Sequence, residues 1–163
     1  MIAHIPSWVF AVLALLLVLG FVQSRSRLVA PAVIRGVAFG LLAYSLWGVI
    51  SSFGLHAAVV TAWLAGIGTS AVLGRSIVTP RGMSFDVDAR KVRVPGSWLP
   101  MLLLMGIFGL KFGVGYSAGT GAPIAWDSSA AIAIALSLGL LSGAFFVRAS
   151  AVVAVARALP RAA

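Results

Sequence analysis

The sequence predicts an all-α membrane protein: a bundle of five transmembrane helices with a short β-hairpin between the third and the fourth. Three observations predict it. The 163 residues are 61% hydrophobic and only 9% charged, against about a quarter charged in a soluble domain, and the mean hydropathy is +1.11. The apolar residues fall into five runs, each near the roughly 20 residues that a helix needs to cross a bilayer. The basic residues collect at alternate ends of those runs, the pattern that orients helices in a membrane.

The first run covers about residues 5–22. A signal peptide would carry positive charge before its apolar core. Here Arg25 and Arg27 follow the core and no Lys or Arg precedes it, so an uncleaved helix with its N-terminus outside is expected. The second run, 33–53, has Arg35 in its first turn, able to snorkel back toward Arg25 and Arg27. The short connection Gly54-Leu55-His56 makes the second and third helices an antiparallel pair, the third covering 57–78. The fourth, 99–118, opens with Trp98 and Pro100, and proline is tolerated in a first helical turn. The fifth, 128–147, follows Asp127, Ser128 and Ser129, an N-cap signal. Residues 149–159 either continue that helix or lie along the surface. The whole chain, 1–163, is read as one integral membrane domain.

With five spans, one face receives Arg25, Arg27, Arg35, Arg75, Arg81, Arg90, Lys91, Arg93, Arg148, Arg157 and Arg161. Only Lys111 of the twelve Lys and Arg residues is left, inside a span. Cytoplasmic loops collect Lys and Arg, so this face, with residues 79–98 and the C-terminus, is expected in the cytoplasm and on anionic headgroups. Trp8, Trp47, Trp63 and Trp126 are expected near the outer interface and Trp98 near the inner one. Arg in excess of Lys, with much Ala and Val, fits a GC-rich bacterial genome and hence a bacterial inner membrane.

Residues 79–98 are the only long polar segment, and Met83 to Pro95 alternates in the strand period. A two-residue turn at Ala89-Arg90 would set Asp88 opposite Lys91, Val87 opposite Val92, Asp86 opposite Arg93 and Phe85 opposite Val94. The apolar face would rest on the membrane surface or the helix ends. Asp86, Asp88 and Arg93 are either a docking platform for a partner or a connector whose charges satisfy one another.

Lys111 lies about 18 Å into the fourth span. An intramembrane charge is costly, about 2.5–3.5 kcal/mol on insertion scales, and is a functional-site candidate by default. It is read either as an anion, substrate or proton site, or as a snorkelling lysine that reaches outer headgroups or Asp127. Asp127 itself is read as a cap or, alternatively, as part of a site. Gly36 with Gly40, Gly109 with Gly113, Gly115 with Gly119, and Gly139 with Gly143 are spacings that let helices approach closely, within one chain or between copies.

Cysteine is absent, so disulfides and thiolate metal sites are excluded. His4 and His56 alone do not make a metal site, and no cofactor is expected. The basic charge sits at the ends of apolar runs instead of forming a soluble patch, which argues against nucleic acid. The chain has no Glu and no catalytic constellation, so an enzyme is not expected.

Several strings occur together: Pro6-Ser7-Trp8, Arg25-Ser26-Arg27, Gly74-Arg75, Pro80-Arg81-Gly82, Val94-Pro95-Gly96-Ser97-Trp98-Leu99-Pro100 and Lys111-Phe112. In these the chain resembles a family of small, uncharacterised proteobacterial inner-membrane proteins classed under a domain of unknown function. Its layout is also similar to that of the CcdC-type membrane proteins. Neither resemblance implies an activity. Two functions are therefore expected as alternatives: an accessory or assembly protein that presents its polar segment to a partner, or a small transporter or channel subunit using Lys111.

Overall fold

The computed structural model describes residues 7–77, 82–86, 89–121 and 128–158. In chain order the elements are α1 (Ser7–Gln23), β1 (Arg27–Val29), α2 (Pro31–Phe53), α3 (Ala57–Ile77), β2 (Ser84–Asp86), β3 (Lys91–Val94), α4 (Leu99–Thr120) and α5 (Ser128–Ala158). Four helices, α2 to α5, are long and apolar enough to cross a membrane. The described part of α1 is shorter, at 17 residues, or about 26 Å.

Local chemistry sets the helix ends. Pro31 opens α2, and Ala30 before it is extended, with φ −72° and ψ 128°, because a residue preceding proline avoids the helical region. Gly54 ends α2 at φ 77°, its N–H donating to Ile50 O. Gly121 ends α4 in the left-handed conformation, its N–H donating to Ser117 O. The α5 helix runs unbroken for 31 residues, about 46 Å. Residues 149–158 thus continue the helix, which exceeds the roughly 30 Å hydrocarbon core.

The tightest helix pair is α3 on α5. Backbones touch there, because a Cβ at Gly66 would meet Leu136 O and one at Gly139 would meet Trp63 O. Gly143 faces Ile67 and Ser70 in the same seam, where Ser70 Oγ donates to Leu140 O at 2.6 Å. The Gly139/Gly143 spacing therefore serves packing within the chain. Trp63, expected near the outer interface, points into the bundle. It is 6% exposed, in a core with Val49, Ile107, Ala135 and Leu138. Its Nε1 donates to Ser45 Oγ at 3.1 Å, and Ser142 Oγ lies 3.3 Å from the same oxygen. A buried indole N–H needs such an acceptor, and α2 supplies it.

At the other end of α5 stands a three-stranded antiparallel sheet of order β1-β3-β2. The alternation in the polar segment predicts two of its strands. The third comes from the first connection: Arg27 lies opposite Val94, Leu28 opposite Arg93 and Val29 opposite Val92. The α1–α2 and α3–α4 connections therefore share one end of the bundle. The β2–β3 register differs from expectation by two residues. Asp86 faces Lys91, Phe85 faces Val92 and Ser84 faces Arg93, which puts four residues between the strands, and the expected partners Val87 and Asp88 lie outside the described residues. A tight primed turn needs left-handed residues such as Asn-Gly, and Ala89-Arg90 supplies only Arg90, at φ 49°. The Asp86 carboxylate instead accepts the Ala89 N–H at 3.0 Å, a usual way for Asp to close a turn. A shift of two preserves the faces. Val92, Val94, Val29 and Phe85 pack on Val152, Val155 and Ala156 of α5, so the apolar face rests on a helix and not on the bilayer surface.

Candidate functional site

The sequence-singled residues scatter. Asp88 and Asp127 lie outside the described residues. Asp86 closes its own turn, and Arg93 is exposed on the sheet's outer face beside Lys91. Lys111 lies about midway along the helices, away from both. It is twelve residues along α4, and Tyr44 is thirteen along α2, both counted from the sheet end. Lys111 Nζ donates to Tyr44 O at 3.4 Å and stands 4.1 Å from the centre of the Tyr44 ring. The side chain lies over Gly48, whose missing Cβ leaves the ammonium its place. Cation–π contacts contribute about 0.5–2 kcal/mol, more when desolvated, so α2 offsets much of the cost of this charge.

What the structure does bring together is a set of arginines from distant parts of the chain. In an antiparallel pair, opposed residues share a face. Arg27, opposite Val94, is thereby placed on the sheet face that looks toward the helices, whereas Leu28 points outward. Arg148 on α5 lies near enough to Arg27 for the two cations to repel, and it has contacts of its own within the protein. Partial burial lowers the Arg27 guanidinium from its ordinary value, although an arginine stays charged at physiological pH. Arg25 stacks over Phe21 at 5.2 Å, and Phe21 meets Trp98 edge to face at 6.5 Å.

Arg25, Arg27 and Arg148 border a cleft of about 390 Å³ between α1, α2, α4, α5 and the sheet. Below them its walls are apolar, including Leu16, Val37, Leu41, Leu104 and Phe145. Among the described residues, no carboxylate lines it. The string Val94 to Pro100 builds its rim. A Cβ on Gly96 would meet Ser24 O, Ser97 N–H donates to Gln23 O at 3.2 Å, and Pro100 is fully buried. The glycine thus lets the chain entering α4 lie directly on the chain leaving α1. Sequence reasoning found these arginines as topology markers. It missed their convergence, because β1 is only three residues long and its pairing is non-local.

No group of three His or Asp side chains gathers in metal-binding geometry among the described residues. No curated protein and no solved structure matches the chain. Residues 1–162, which include the Val94–Pro100 rim and Lys111, match a single family description throughout. The chain belongs to DUF6622, a family of unknown function.

Proposed function

We propose that the protein is an accessory or assembly protein of the bacterial inner membrane, crossing it five times and presenting its sheet to a partner protein in the cytoplasm. The observation that carries this reading is the division of labour in the sheet. Its inner face is used up against α5, so the sheet is held rigidly to the longest helix. Its outer face offers Lys91, Arg93 and Leu28, all exposed, and among the described residues both edge strands, β1 and β2, keep one side unpaired within the sheet. Rigid support with a charged, partly apolar outer face suits recognition, since exposed strand edges readily accept another strand. The short α1 belongs to this reading as the fifth span. At about 26 Å it is near the hydrocarbon thickness, and residues before it lie outside those described. Lys111, engaged with Tyr44 and Gly48, is on this account a brace between α4 and α2, not a solute site.

The test is site-specific photo-crosslinking in cells from position 28, with the wild type compared with Lys91→Ala/Arg93→Ala. A discrete crosslinked protein that the double variant loses, at equal expression, is the expected result. Unchanged adducts in the two strains would remove the support for a partner on this face.

A further inference from the structure

The basic cleft on the opposite side of the sheet has a shape and a charge that the partner reading does not use. We propose that it binds one anionic phospholipid, with the phosphate held by Arg25, Arg27 and Arg148 and an acyl chain lying along the apolar walls. Three observations converge on that occupant. The first is charge. Three guanidinium groups rim one cleft whose described lining holds no carboxylate, and Arg27 and Arg148 are close enough to repel. The planar guanidinium fork, with five donors, matches phosphate oxygens and lets Arg148 add such a bond to the contacts it already makes within the protein.

The second is the polarity gradient. The arginines stand at the sheet end of the helices, and Leu41 lies ten residues along α2, about 15 Å deeper. Cationic rim over apolar wall is the profile of a headgroup with the upper part of a chain, and it has little to offer a free inorganic ion. A volume of about 390 Å³ falls in the range of small-ligand pockets. It accommodates the headgroup region and leaves the rest of the chain outside.

The third is an opening for the remainder. The α1 helix packs on α4, and α2 packs on α5, while α1 and α2 make at most slight contact. Leu19 of α1 and Val33 and Val37 of α2 line the cleft and are still 44%, 59% and 56% exposed. The cleft is therefore open sideways along a slot parallel to the helices, the direction in which a lipid's chains run. The proposal rests on the helices being membrane-embedded. It does not depend on a partner at the sheet's outer face.

The experiment uses the full chain, purified in maltoside detergent and stripped of lipid. It is titrated with dioleoyl phosphatidylglycerol, dioleoyl phosphatidylcholine or sodium phosphate and read by native mass spectrometry. The expected result is one phosphatidylglycerol per chain, bound about tenfold or more tightly than phosphatidylcholine and not displaced by millimolar phosphate. Arg27→Ala/Arg148→Ala removes the preference. Val37→Trp narrows the cleft, keeps every charge, and weakens binding by about tenfold. Lys91→Ala, on the sheet's outer face, changes neither. Equal affinity for the two lipids, displacement by phosphate, or binding that survives both cleft variants would each overturn the proposal. So would a dimer that excludes the lipid. Should the double arginine variant fail to fold, Val37→Trp and the comparison of lipids on the wild type decide the matter. A partner crosslink lost in Lys91→Ala/Arg93→Ala with lipid binding intact separates the fate of the two proposals.

Discussion

Lys111 places a charge about 18 Å along α4, and α2 supplies a carbonyl, a ring and a vacant Cβ position to receive it. If it is a brace, the cost of burying the ammonium and the gain from Tyr44 nearly cancel. Lys111→Met should then shift unfolding by less than about 1 kcal/mol, by SDS titration in mixed micelles. Gly48→Leu, which drives a side chain into the ammonium, should cost about 1–3 kcal/mol. Gly48→Leu combined with Lys111→Ala, which vacates the shared space, should recover most of that loss. A large loss of stability from Lys111→Met alone would contradict the balance. Ser45 is a second case. It gives the Trp63 indole its acceptor in a largely apolar core, beside the buried Ser142. Ser45→Ala leaves that donor unpaired, and the expected loss is about 1–3 kcal/mol in the same titration.

At the scale of elements, glycine position decides which helices can touch. Gly139 lies against the Trp63 carbonyl, whereas a Cβ at Gly113 would meet nothing within 4 Å. Gly139→Ala should therefore destabilise the α3–α5 pair by about 1–3 kcal/mol. Gly113→Ala should be neutral or slightly stabilising, since alanine is the better helix former by about 1 kcal/mol in water. Equal effects of the two substitutions on thermal stability in detergent would show that the seam is not the source of the difference. Both glycines occur in the sequence with the same four-residue spacing, so spacing alone could not rank them. The two-residue shift in the β2–β3 register has a similar origin. Alternation fixes which residues share a face and says nothing of loop length, which the Asp86 turn bond and the left-handed Arg90 settle here.

At the scale of the molecule, α5 is the central element: it packs on α2, α3, α4 and the sheet, while α1 is held through α4. The α5 helix is about three turns longer than a hydrocarbon core is thick, and its last turns carry Val152, Val155 and Ala156 under the strands. Truncation after Ala149 should leave the helical bundle intact and release the sheet. Hydrogen exchange at Val92 and Val94 should then rise toward the unfolded rate while Leu138 stays protected. Protection retained at Val92 would mean that the sheet stands without α5. The strand pairing also sets sidedness. Single cysteines at positions 28 and 93 should label from the same side of the membrane, and one at position 55 from the other. Labelling of positions 28 and 93 from opposite sides is incompatible with Leu28 facing Arg93 across the sheet.

The sequence by itself determined the apolar helices, because they follow from local terms. Run length, flanking Arg, and proline or glycine at the ends act over a few residues and need no knowledge of neighbours. Only the tertiary structure decided that Arg27–Val29 is a strand, that α5 continues under the sheet, that Trp63 turns inward and that three arginines share a cleft. Each of those depends on a contact between segments far apart in the chain. Val29 meets Val92, and Trp63 meets Ser45, across connections whose geometry no periodicity encodes.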